Sequence, residues 1–187
     1  MQSRASGLLI LPFLVCAAAC SRNAAVDVPG EPPEPTPAYR CGSGGFLEAE
    51  LVGAVSTSLA WSADVLACEG MPRPDERGAR LRFAGPGLRP GETLAVIIAM
   101  PGLERGATGR EFATNATVMV EGSGRFFSTS GDEVCWTDVV RQEPLTADRY
   151  AIAGSLYCIA PLVEINGNSS VTIAKLSFSG LVDWSAS

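Results

Sequence analysis

From residue 41 onward, apolar and polar positions alternate in short runs bounded by Gly, Pro, Asn, Asp and Ser. Leu47, Ala49 and Leu51 point one way while Glu48 and Glu50 point the other, and Leu81 and Phe83 oppose Arg80 and Arg82. Near the end, Ala174, Leu176, Phe178, Val182 and Trp184 share a face opposite Lys175, Ser177, Ser179 and Asp183. A period of two is the signature of strands with one side on a core. Thr93 to Met100 is continuously apolar, which predicts a central strand buried on both sides. Gly122-Ser123-Gly124 and Ser130-Gly131-Asp132 separate the runs 117–121, 125–129 and 133–139, predicting a three-stranded meander. Asn166-Gly167 predicts a further tight turn. The stretch 101–115 contains Gly102, Gly106 and Gly109 and reads as a long loop, with at most a short helical turn around residues 104–110. These signals amount to about eight or nine strands and no amphipathic helix. The predicted fold is all-β, an antiparallel β-sandwich, with a small β-barrel as the alternative.

Two stretches before residue 41 do not follow this pattern. Met1 to Gly7 is polar with Arg4 as its one charge, Leu8 to Val15 is strongly apolar, and Cys16 to Ala19 is small. The apolar run is too short to span a bilayer, which takes roughly 20 residues, and the order of segments is that of a secretory signal. Ala17-Ala18-Ala19-Cys20 resembles the lipobox of bacterial lipoproteins, with Ala17 where Leu is commonest. The resemblance covers only the first twenty or so residues. It implies that residues 1–19 are removed, that Cys20 is acylated, and that a lipid membrane is a partner through that cysteine. Ser21, rather than Asp, follows it, which by the sorting rule of enteric bacteria implies the outer membrane. The alternative is an ordinary signal peptide cut near Ala17 to Ala19, leaving a soluble periplasmic protein. Each buried CH₂ contributes about 0.8 kcal/mol, so two or more acyl chains anchor stably where one does not. Residues 20–40 then carry Pro29, Pro32, Pro33, Pro35 and Pro37 with Glu31 and Glu34 between them. This composition builds no core and predicts an extended tether of at most about 60 Å at ~3.1 Å per residue. The globular domain is therefore placed at residues 41–187.

Loss of residues 1–19 removes only Arg4, leaving 13 basic and 20 acidic residues and a net charge of −7. Without a basic cluster, neither nucleic-acid binding nor a polybasic membrane patch has electrostatic support.

Of the six cysteines, Cys41, Cys68, Cys135 and Cys158 fall in the domain. An even number in an exported domain points to two disulfides, with three connectivities possible. Cys41–Cys68 and Cys135–Cys158 are favoured, because each pair brackets locally packed strands. The competing reading, a redox or metal site, lacks any Cys-x-x-Cys spacing.

The chain contains no histidine. That removes Ser-His-Asp and Cys-His catalysis and every His-ligated metal. A Ser-Lys dyad would need Lys175, the one lysine, which has no Ser-x-x-Lys pattern near it. Asp132, Glu133 and Asp138 do not match a calcium loop. No catalytic residue, metal or other cofactor is predicted. Trp61, Trp136 and Trp184 are weighed as a stacking platform for sugars against ordinary core packing, and Trp61 and Trp136 are retained as candidate contacts. Phe126 and Phe127 are adjacent, so one of them should point outward, and both join the candidates.

Cys68-Glu69-Gly70 with Arg73-Pro74, the Thr114-Asn115 segment and Glu121-Gly122 resemble exported proteobacterial proteins without an assigned activity. The resemblance implies an envelope origin and transfers no site residue. The function expected is a membrane-anchored, non-enzymatic binding or accessory protein whose partner is an envelope protein or a glycan. Two alternatives stand beside it: an inhibitor of an envelope-attacking hydrolase, and a carbohydrate-binding module.

Overall fold

The computed structural model describes residues 41–74, 77–131 and 133–186. The predicted signal peptide, Cys20, the tether and Asp132 lie outside the described residues. The strands are β1 (Phe46–Gly53), β2 (Thr57–Ser62), β3 (Ala67–Pro72), β4 (Ala79–Pro86), β5 (Thr93–Met100) and β6 (Gly109–Glu121). They continue with β7 (Arg125–Ser128), β8 (Cys135–Pro144), β9 (Arg149–Cys158), β10 (Leu162–Glu164) and β11 (Ser170–Asp183). The fold is all-β, and no helix occurs among the described residues.

All eleven strands belong to one antiparallel sheet that folds over itself into a β-sandwich-like body. One arm runs β2-β1-β11-β9-β8 and the other β3-β4-β5-β6. The two longest strands join the arms. β6 pairs with β8 through its first half and with β7 through its second. β11 pairs with β10 near its start and with β9 from Leu176 onward. The inward positions of both arms share one core. Phe83 of β4 meets Phe178 of β11 at 5.5 Å between ring centroids, and both rings are fully buried. Burying a side chain of that size contributes about 2–3 kcal/mol.

The alternation read from the sequence is largely kept: Leu47, Ala49 and Leu51 are buried and Glu48 and Glu50 exposed. β5 is buried at most positions, as its unbroken apolar run requires. On β11 a bulge changes the pattern. Glu50 pairs with Lys175 and Leu51 with Ile173, so Ala174 is left over and exposed rather than sharing the face of Leu176 and Phe178.

Three expectations are corrected. Eleven strands form rather than eight or nine. The run 133–139 does not extend a meander, since β8 pairs with β6 and β9 instead of β7. The four residues of β7 cover only the second half of the thirteen-residue β6, which leaves its first half for β8. Residues 109–115 are strand rather than loop, because the bulged, polar start of β6 hides its alternation. The remaining loop is pinned by buried Gln142, whose Nε2 donates to Glu104 O (3.1 Å) and Ala107 O (2.7 Å) and whose Oε1 accepts from Gly106 N (2.8 Å).

The favoured disulfides form: Cys41–Cys68 and Cys135–Cys158. The first sits at a seam where β3, paired among the described strands with β4 alone, packs against the last part of β11. Gly70 makes that approach possible, since a Cβ there would stand 2.0 Å from Leu181 O.

At the β7–β10 end, Arg125 Nε donates to Glu164 Oε1 (2.7 Å) and Arg125 Nη2 to Ser169 Oγ (2.9 Å). The guanidinium and the Ser169 hydroxyl hold the Glu164 carboxyl at about 2. A carboxyl depressed in the folded state stabilises the protein above its ordinary value of 4.5, and that contribution is lost as pH falls toward 2.

Candidate ligand-binding face

Outward positions alternate with core positions along β8 and β9, and at one end they bring two aromatic rings together. Trp136 pairs across the ladder with Tyr157, one residue inside the Cys135–Cys158 pair. The rings stack with centroids 5.7 Å apart at 24°. Because the disulfide joins the neighbouring residues of the same two strands, it fixes the register that holds the rings side by side. Trp136 is half-buried and Tyr157 exposed.

Polar groups gather beside the rings through a bulge. Gly109 pairs with Val139 and Phe112 with Thr137, so Arg110 and Glu111 of β6 together oppose the single residue Asp138 of β8. Glu111 takes a left-handed conformation with φ of 58°, unusual for a residue other than Gly, Asn or Asp. Such a backbone costs of order 1–3 kcal/mol and persists where the surroundings hold it. Asp138 supplies the hold: its Oδ1 accepts the Glu111 N–H at 2.8 Å, and its Oδ2 lies 3.5 Å from Arg110 Nε. The displaced Glu111 side chain in turn accepts the Tyr157 hydroxyl at 3.4 Å. Partial burial, followed by the negative charge and hydrogen bond of Glu111, raises the Tyr157 phenol above its ordinary value, keeping it a hydroxyl donor.

The result is an aromatic pair, one ring of it a phenol, rimmed by two carboxylates and one guanidinium, all on one side of the sheet. Ser155, exposed on β9 and paired with Asp138, extends the polar rim. Apolar ring faces suit the C–H face of a sugar ring, and the carboxylates accept hydrogen bonds from vicinal hydroxyls. Among the described residues there is no group of three or more His, Cys, Asp and Glu able to hold a metal ion.

The other candidate residues go elsewhere. Trp61 is buried at 6% exposure with its indole against Gly85, and Phe127 is fully buried under the Arg125 guanidinium, 5.0 Å from its ring centroid. Neither presents a ring to a ligand. Phe126 is 39% exposed and lies beside exposed Ile165, whose N–H donates to Phe126 O, on β7 and away from Trp136. Trp184 is half-buried and donates its Nε1–H to Gln142 Oε1 at 3.1 Å. Sequence reasoning missed Tyr157, Glu111 and Asp138 as a group. A signal for Tyr157 was present: if Cys135 and Cys158 are bridged across antiparallel strands, their inner neighbours Trp136 and Tyr157 are necessarily opposite. No sequence signal announces the left-handed Glu111.

The fold and this face define a disulfide-braced all-β domain with a built aromatic and acidic surface. The chain matches no family model, no curated protein and no solved structure.

Proposed function

We propose that the protein is a non-enzymatic binding protein held to a bacterial outer membrane through acylated Cys20, and that its Trp136–Tyr157 face binds a glycan of the envelope. The stacked ring pair, with Glu111 and Asp138 beside it, carries the binding part of this reading. A strained backbone held by a carboxylate and coupled to a ring hydroxyl is more than core packing requires, and such strain concentrates at ligand sites. The lipobox and the Pro-rich spacer supply the anchored part, since they give a firm hold and a reach of about 60 Å.

Titration of the mature chain with soluble N-acetylglucosamine oligomers tests the binding part, with tryptophan fluorescence as the readout. Truncating a buried aromatic anchor of an interface costs about 2 kcal/mol, roughly 30-fold in affinity. The W136A/Y157A variant should therefore lose at least that factor while W61F binds normally. Saturable binding that survives W136A/Y157A would remove this face from the account. The anchored part predicts that cells fed labelled palmitate yield labelled protein, and that Cys20→Ser abolishes the label. An unlabelled wild-type protein would contradict it.

A further inference from the structure

A hollow lies on the outer side of the same strands, at the opposite end of β8 and β9 from the ring pair. On the sheet side it is lined by Ala151, Ser179, Gly180 and Leu181. The turn at Gly42 to Gly44 forms one wall, and Leu145 with Thr146, in the β8–β9 connection, forms another. The space between them is about 440 Å³.

Its charged lining is Arg141, Arg149 and Glu143, with Asp183 adjoining Arg149. A bulge sets the position of Arg141. Val139 pairs with Gly154 and Arg141 with Ala153, so Val140 is extruded, 73% exposed, and Arg141 is turned across β9 toward Ser179. Arg141 Nη2 reaches Ser179 Oγ at 3.4 Å, and its contact with Glu143 is 3.9 Å. Arg149 meets Asp183 at 4.0 Å. Among the described residues, both guanidinium groups thus keep most of their five N–H donors unspent, and both are 45% exposed. Arg125 shows the opposite case, with a carboxylate at 2.7 Å and a hydroxyl at 2.9 Å on its fork. Two such forks, each with a carboxylate no nearer than 3.9 Å, place unspent N–H donors on one hollow of a chain of net charge −6.

We propose that this cleft binds a phosphate ester, with Arg141 and Arg149 as the two forks and the exposed Ser43 hydroxyl at the mouth. Planar guanidinium groups match the tetrahedral oxyanion bidentately, which a carboxylate 3.9–4.0 Å away does not use. Glu143, 66% exposed, is free to swing aside or to receive an ammonium carried by the same ligand. The ester has two sources: a free sugar or glycerol phosphate, or the headgroup of a phospholipid. The turn that walls the cleft follows Cys41 directly, where the chain arrives from Cys20. The lipid source rests on the anchored reading, because only an acylated chain holds this cleft within a tether's reach of headgroups.

Binding is measured with the full mature chain carrying Cys20→Ser, so that no acyl chain contributes. The probes are sn-glycerol 3-phosphate in solution, followed by amide shifts, and sedimentation with vesicles of phosphatidylglycerol in phosphatidylcholine against phosphatidylcholine alone. Saturable shifts at Gly42 to Gly44 and sedimentation with the phosphatidylglycerol vesicles assign the lipid source, whereas shifts without sedimentation assign a free ester. Removing two charge-assisted forks from a bound anion should weaken it strongly, so R141Q/R149Q should weaken either form of binding at least ten-fold with an unchanged melting temperature. Ser43→Asp, at an exposed position of the turn, should do the same by repulsion. Binding in neither arm, or binding indifferent to both variants, overturns the proposal. W136A/Y157A should leave phosphate-ester binding intact, which separates this cleft from failure of the glycan reading.

Discussion

Gly70→Ala should destabilise the domain by about 3 kcal/mol, the upper end of what overpacking costs. The added Cβ would stand 2.0 Å from Leu181 O and 3.0 Å from Leu181 C, with Leu81 Cδ2 at 2.8 Å. The leucine methyl can rotate away, but the Leu181 carbonyl cannot, because β11 is held there by its ladder to β9. The clash therefore falls on the seam where β3 meets β11. To relieve it β3 must lift, which exposes Cys68 and Leu81, each under 5% exposed. For a domain of this size a loss of ~3 kcal/mol lowers the melting temperature by about 10 °C. Urea unfolding followed by far-UV circular dichroism measures the change. A midpoint equal to that of the wild type would mean that the two strands do not approach as closely as described.

Removing the Cys41–Cys68 bridge should cost about 3–4 kcal/mol, since it closes a loop of 27 residues. The Cys135–Cys158 bridge closes 23 residues and should cost about the same on the chain-entropy argument. The two losses should nevertheless be told apart by function. Cys135 and Cys158 directly flank Trp136 and Tyr157 and fix their opposition, whereas Cys41 and Cys68 secure the seam away from the rings. The C41A/C68A variant should unfold earlier yet bind glycan at wild-type affinity below its transition. C135A/C158A should lose both stability and affinity. Equal affinity in the two variants would contradict the role given to the second bridge.

Much of the framework was legible because it rests on short-range rules. Alternation placed β1, β4 and the last half of β11, and the unbroken apolar run placed β5. The four domain cysteines indicated their own pairing. What could not be read comes from insertions of a single residue. The bulge that leaves Ala174 exposed, the one that extrudes Val140 and the one that sets Glu111 at positive φ each shift register by one position. A shift of one reverses the face of every following side chain, and alternation alone cannot locate it. Partner choice was equally hidden. Turn signals favour pairing of sequence neighbours, yet β8 bypasses β7 for β6 because only the long strand offers an unpaired stretch. For the same reasons Trp136 was legible as a candidate, while the bulge that surrounds it with polar groups was not.

The two surfaces also differ in what holds them. The ring pair depends on a disulfide and a strained bulge, so it is set before any ligand arrives. The arginine cleft depends on long, weak ion pairs that a stronger anion displaces.

The most direct test of the proposed glycan-binding face uses the three tryptophan indole N–H signals of the protein during addition of N-acetylglucosamine oligomers. Trp61 is buried, Trp184 donates to Gln142, and Trp136 stands on the outer face. A shift of the Trp136 signal together with the Glu111 amide, while Trp61 and Trp184 stay in place, is the predicted result. Movement of Trp61 or Trp184 with Trp136 unchanged would contradict it.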